Sequence, residues 1–354
     1  MKEVKRYPLT GISSRPDWWL VRPDEIEKIA SGVTVGKYSV EARTPMGYPV
    51  CRVVYNDYPH TGNKVNWSSA LCSRNPELFG RKEGQPQTVM LCGGIHGCEV
   101  EGPIILLNLI SLLETGKDLR GKPRPSLVEL ASHYRLVLFP CVNMDGRAIS
   151  PDHRHDADHE ECRRAGGGIW KEGSATIVWP AMKEHFPLPL DKVEYPGGYP
   201  NSEGYNIQHD ASPGNLKTAE AAALLKAAEE KCVDLFINMH SQPGSAQTTL
   251  LLQNAFSFPY NLKVSKDLVM ACRRALTALD YPLDETLREP PYKFDINHLI
   301  ALNSGATTGT IEFAARLAGS FDRTLETGYV YLETMFRYGL TTPFVDRSNL
   351  MLNK

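Results

Sequence analysis

His96 and Glu99 stand three residues apart in the stretch Gly93-Gly94-Ile95-His96-Gly97-Cys98-Glu99. In a turn or helical loop that spacing brings an imidazole and a carboxylate to one side, and both groups are good zinc ligands. Catalytic zinc uses three protein ligands and keeps a position open for water. A third ligand is available in His240, which follows the apolar run Asp234-Leu235-Phe236-Ile237-Asn238-Met239. Taken alone, H-x-x-E is a weak signal, because a surface histidine near an unrelated acid gives the same pattern. Here two glycines precede it, and an apolar run (Gln87–Cys92) precedes the glycines. Two more polar groups end or interrupt apolar runs, Asn143-Met144-Asp145-Gly146-Arg147 and the single acid Glu312 of Thr310-Ile311-Glu312-Phe313. The chemistry such a set supports is zinc binding with a position left open for water.

For these residues to meet, something must bring the ends of several strands together. Residues 38–55 read as strand, turn and strand, and 87–92 and 134–139 are short apolar strand candidates. Further strands are expected at 234–239, 249–252 and 308–313. Between them lie helix patterns at 104–113, 217–231, 264–279 and 323–338, and a short one at 23–30 opens on Pro23 with acids in its first turn. Strands alternating with helices predict an α/β domain, with a mixed, mainly parallel, twisted β-sheet flanked by helices on both faces. Ligands of such sheets bind at the carboxyl ends of the strands, where the polar clusters stand. Residues 150–215 break the rhythm, being rich in Pro, Gly, His and acids, and read as a functional loop excursion. Within it, Asp152-His153-Arg154-His155-Asp156-Ala157-Asp158-His159-Glu160-Glu161 imitates a metal site but reads as a solvated loop.

The 354 residues carry 39 Lys and Arg against 41 Asp and Glu, a formal net charge of −2, which argues against a broad basic surface for nucleic acid. No apolar run reaches the 18 residues or so of a membrane span. The first residues lack the apolar segment of a secretory signal, and the eight cysteines show no C-x-x-C spacing. These features predict a cytoplasmic chain with reduced thiols, of which Cys92 and Cys141 are expected in the core.

The ordered set resembles the zinc carboxypeptidase family, the funnel-shaped metallocarboxypeptidases. That family's pattern is H-x-x-E, then Asn-Pro-Asp-Gly, then a distant His after an apolar strand, then a Glu in a late strand. The matching positions here are His96 and Glu99, Asn143 to Gly146, His240 and Glu312, and the likeness runs over about residues 20–340. Residues 35–43 also resemble the family's early strand. The resemblance implies a lead-in over 1–34 packed on a catalytic domain over 35–345. It implies one zinc ion per chain held by His96, Glu99 and His240, with Glu312 as general base, acting on the C-terminal bond of a peptide or peptide-like substrate. It further implies a cation that polarises the scissile carbonyl. Lys171, in Ile169-Trp170-Lys171, is the nearest match, with Arg163 and Arg164 as alternatives. Tyr292 is the nearest match to the family's substrate-capping tyrosine, and Asn143 falls among the substrate-binding positions.

One departure is informative. Where the family carries Asp-Leu-Asn-Arg-Asn, with an Asn-Arg pair for the substrate's terminal carboxylate, this chain reads Asn206-Ile207-Gln208-His209-Asp210. Gln208 and His209 lack the bidentate guanidinium. Either another cation takes its place, Arg147 being one candidate, or the substrate has no free α-carboxylate there. The second possibility admits a different reading, a zinc amidohydrolase or deacylase of small N-acyl amino acids.

Overall fold

The structure is a computed structural model that describes residues 6–59, 84–242, 249–252 (backbone), 259–280, 294–316 and 321–346. The chain opens with helix α1 (Pro23–Ser31) and the strands β1 (Lys37–Arg43), β2 (Pro49–Tyr55) and β3 (Thr88–Gly93). Helices α2 (Glu101–Thr115) and α3 (Pro125–Ser132) lead to β4 (Arg135–Phe139). The excursion then holds α4 (Met144–Ile149), α5 (His159–Gly167), β5 (Ile169–Trp170), α6 (Ala181–Glu184) and β6 (Val193–Tyr195). The remainder is α7 (Ala219–Glu230), β7 (Leu235–Gln242), β8 (Thr249–Leu252), α8 (Pro259–Thr277), α9 (Ile296–Ser304), β9 (Thr307–Ala314) and α10 (Phe321–Thr341).

Seven strands form one sheet in the order β1-β2-β4-β3-β7-β9-β8, and β5 pairs with β6 as a separate hairpin. The four central strands β4, β3, β7 and β9 run parallel. Antiparallel pairs extend the sheet at both margins, β1–β2 and β2–β4 on one side and β8–β9 on the other.

The central strands read as unbroken apolar runs because both faces are covered. Along β3, Val89 and Leu91 join a core with Ile105 and Leu109 of α2 and Leu332 of α10, whereas Met90 and Cys92 face Leu224 of α7 and Leu299 of α9. Strand β4 alternates in the same way, with Leu136 and Leu138 on one face and Val137 and Phe139 on the other. The lead-in is tied to this body: Ile26 and Ala30 of α1 enter the first core, and Trp19 and Val21 pack with Val100 and Ile104. The described cysteines, Cys92 and Cys141 among them, are all free and buried.

The topology creates one place where a site can form. After β3 the chain crosses to β4 on one side, whereas β7 and β9 line up on the other. A crevice opens where the winding direction changes, beyond the carboxyl ends of β3 and β7.

Candidate active site and metal centre

The loop after β3 is shaped by two glycines. Gly94 adopts φ +58°, a left-handed conformation that side chains other than glycine resist. Gly97 lies so close to the first turn of α4 that a Cβ there would stand 2.1 Å from the Arg147 amide nitrogen. The turn closes with the Glu99 N–H donating to the His96 carbonyl (3.0 Å), and α2 begins two residues later. His96 and Glu99 are thereby delivered just past the end of β3. His240 comes from the neighbouring strand, where Met239 is the register partner of Gly93.

The three side chains converge, their candidate ligand atoms all lying within 4.8 Å of one another. Each imidazole turns its Nδ1 to a different oxygen of the same carboxylate: His96 Nδ1 is 3.0 Å from Glu99 Oε1, and His240 Nδ1 is 2.9 Å from Oε2. The Ser241 amide also donates to Oε2 (3.2 Å). Behind His96, Nε2 lies 3.1 Å from Asn206 Oδ1, an oxygen already accepting the Gln208 backbone N–H at 3.1 Å. Asn206 Oδ1 is therefore an acceptor, His96 Nε2 carries the proton, and in the neutral ring Nδ1 presents a lone pair to a carboxylate oxygen.

Two acceptors at that distance need a cation between them. A proton on His96 is disfavoured, because burial holds the ring's pKa below its ordinary value despite the pull of Glu99. Two imidazole nitrogens and an ionised carboxylate are a donor set that suits zinc. The Nε2-to-Asn206 bond is the outer contact that fixes the tautomer and orientation of a ligating histidine.

Glu312 stands opposite His240 in the β7–β9 register. Residues paired in this way project to the same face of the sheet, on strands about 4.8 Å apart. Its parity agrees, since Ile311 and Phe313 point into the opposite core. Tyr199 packs its ring 4.5 Å from that of His96. Its hydroxyl pKa is raised well above the ordinary value by burial and then by the Cys98 thiol and the Glu99 carboxylate, with Glu312 adding to the rise.

A profile described as zinc carboxypeptidase matches residues 55–342. The chain belongs to the zinc carboxypeptidase family. Solved metallocarboxypeptidases share the fold. The enzyme from Burkholderia cenocepacia is 12% identical with a TM-score of 0.59, the alignment covering 89% of this chain and 68% of that one. The Pseudomonas aeruginosa enzyme, solved with (2-guanidinoethylmercapto)succinic acid, is 12% identical with a TM-score of 0.56, covering 89% of this chain and 67% of its own. No curated protein matches the sequence. Family and fold make this a zinc metallopeptidase, a hydrolase of the carboxypeptidase type. Among the described residues no helix is long and apolar enough to cross a membrane.

Several residues expected at the site are engaged by other partners. Lys171 is exposed on the β5–β6 hairpin, its ammonium donating to the Asp191 carbonyl (2.7 Å). Arg163 and Arg164 lie on α5, and Arg163 faces Glu160 at 3.6 Å. Arg147 is fully buried and donates to the carbonyls of Gly97 (2.8 Å), Ser150 (2.8 Å) and Pro151, so it braces the H-x-x-E loop from behind. Asn143 caps α4, accepting from the Gly146 N–H (2.8 Å) and donating to the Tyr199 carbonyl (3.0 Å). That role is architectural, and it also places Tyr199.

Gln208 points inward, with its amide nitrogen donating to Asp295 (2.9 Å) and its oxygen accepting from Asn238 (2.8 Å). Both ends of the amide are engaged under the sheet. His209 is half-buried at the end of the short 3-10 turn Ile207–His209. Tyr292 lies outside the described residues.

The 152–161 stretch is solvated only in its second half, where Asp156, Asp158, His159 and Glu160 are exposed. His153, Arg154 and His155 are all buried, packed beneath the lead-in. Among them Arg154 is a cation next to the candidate ligand His240. It is 0% exposed, its Nη2 donates to Ser241 Oγ (2.8 Å) immediately after the ligand His240, and the Glu101 carboxylate lies 3.7 Å away. Its Nε and Nη1 have no hydrogen-bond partner among the described residues. The sequence signal was an arginine eleven positions past Asn143 between two histidines, which composition alone reads as surface.

Proposed function

We propose that this zinc carboxypeptidase hydrolyses the terminal amide bond of a peptide or peptide-like substrate, with Glu312 as general base and Arg154 as the group that receives the developing oxyanion. The observation that carries the reading is the pairing of Glu312 with His240 across β7 and β9, which sets a carboxylate beside the ligand cluster. His96, Glu99 and His240 would hold zinc, whose fixed positive charge would acidify water and polarise a carbonyl. Glu312 takes the proton of the attacking water and delivers it to the departing amine. Arg154 donates hydrogen bonds to the carbonyl oxygen as charge gathers there, and its burial strengthens them.

The test is Glu312→Gln. It should keep one zinc per chain by metal analysis and lose about 10²–10⁴ in kcat. A variant turning over at the wild-type rate removes Glu312 from the mechanism. The substrate panel is N-blocked dipeptides with a free C-terminus, the same dipeptides as C-terminal amides, and N-acyl amino acids.

A second reading, a deacylase of small N-acyl amino acids, is favoured by one observation. The turn expected to clamp a terminal carboxylate offers Gln208, whose amide is engaged with Asp295 and Asn238, and His209 in place of an arginine. Faster turnover of the N-acyl amino acids than of any dipeptide decides for it.

A further inference from the structure

Arg154 reaches Ser241 from a stretch whose flanking residues are all held from the other side. The rings of His153 and His155 lie 4.9 and 4.4 Å from that of Phe321, which also meets Trp19 at 4.9 Å. His153 and His155 both meet Phe321, whereas Arg154 between them turns to Ser241. Just before them, Asp152 gathers the lead-in. Its Oδ1 accepts from Arg6 Nη1 (2.6 Å), its Oδ2 accepts from Arg22 Nε (2.9 Å), and Arg15 Nε stands 3.6 Å from Oδ2. The Trp19 indole N–H donates to the Asp152 carbonyl at 3.0 Å.

We infer that Asp152 is a positioning residue for the reaction: clasped by Arg6 and Arg22 of the lead-in, it fixes the 152–155 segment so that Arg154 stands beside Ser241 and the metal ligands. The lead-in is then part of the catalytic apparatus without touching substrate. The chemistry of Asp152 agrees. Burial raises its pKa, but the hydrogen bond from Arg22 and the charges of Arg6 and Arg147 outweigh that and hold the carboxyl at about 2, so the clasp stays ionised across the working range of pH.

This inference rests on Arg154 serving the oxyanion, and the experiment separates the two. The substrate is whichever N-blocked dipeptide or N-acyl amino acid the wild type turns over fastest, and a second readout is the affinity of its phosphonate analogue by calorimetry. Arg154→Ala should lower kcat by about 10²–10³. Asp152→Ala should lower kcat by about 10–100-fold with little change in KM, and should weaken the phosphonate in proportion. In the Arg154→Ala background, Asp152→Ala should lower kcat no further, because it acts through that side chain.

Arg6→Ala, which removes one partly exposed arm of the clasp, should give a smaller fall in the same direction while leaving the fold intact. If Arg154→Ala retains wild-type kcat, the oxyanion reading fails and the inference with it. If Arg154→Ala is impaired but Asp152→Ala only lowers the melting temperature, or lowers kcat equally in both backgrounds, the inference alone is overturned.

Discussion

Glu220 carries an ionisable group where the fold offers it little. It is the second residue of α7, fully buried, with Oε1 accepting a 3.3 Å hydrogen bond from the Asn201 amide and Oε2 accepting none among the described residues. Burial raises its pKa from 4.5 to about 7; Asp145 and Glu203 push the same way, and the Glu220 N–H and the Asn201 amide pull back only in part. The folded pKa lies above the unfolded one, so between about 4.5 and 7 the native state holds a proton that the unfolded chain has released. The stability this contributes is complete below about 4.5, falls as pH rises through the window, and is gone above about 7.

At about 1.4 kcal/mol per pH unit the total is about 3 kcal/mol, which for a chain of this size corresponds to about 4 °C in melting temperature. Glu220→Gln keeps the shape and removes the titration. Urea unfolding of both proteins at pH 5, 6, 7 and 8 should show the variant gaining on the wild type with each step, by about 2–3 kcal/mol over the range. A difference that stays flat with pH, or one that moves towards the wild type as pH rises, refutes the assignment of a neutral Glu220.

Asn206→Ala removes the acceptor that fixes His96 Nε2, and zinc affinity measured by competition with a chelator should fall about 10–100-fold. Lys171→Ala should leave kcat within about twofold of wild type, as its exposed ammonium reaches only a loop carbonyl. Gln208→Ala strips partners from Asp295 and Asn238, both buried, and should lower unfolding stability by about 2–4 kcal/mol. Gly97→Ala drives a methyl to 2.1 Å from the Arg147 main chain and should cost more than about 3 kcal/mol or prevent accumulation of folded protein, read by expression and circular dichroism.

The sheet was legible because its strands are covered on both faces. β3, β4 and β7 are short apolar runs that no solvent-facing residue interrupts, and their helices carry a matching apolar stripe. The predicted strand at 87–92 and helix at 217–231 fall within two residues of β3 and α7. What sequence reading missed is local and polar. Helix α5 has too little apolar surface to show a period, though its cap was written plainly: Asp158 accepts from the Glu160 and Glu161 amides. α9 opens on Asp295 in the same way, with its side chain receiving the Asn297 and His298 amides. In α5 the capping residue alone announces the helix, whereas in α9 it stands before a short apolar face of Ile296, Leu299 and Ile300.

The site divides along a similar line. Candidate metal ligands are particular residue types that follow strand ends, so His96, Glu99 and His240 could be singled out from type and order, with Glu312 after them. A cation that meets a developing oxyanion needs only to arrive there, from any element the fold can route past the crevice. Lys171 and Arg154 are equally plausible in one dimension; what distinguishes them is that one donates to a loop carbonyl in solvent and the other lies buried beside Ser241. The burial of Arg154 depends in turn on the lead-in, whose Trp19, Arg6 and Arg22 close over the Asp152 turn from more than a hundred positions away in sequence. Hydropathy scores a stretch by its own composition, and 152–161 is polar throughout. The residues that turn inward, Asp152 to His155, are tolerated there because each faces a counter-charge or a ring supplied by another segment, a condition that only the assembled chain meets.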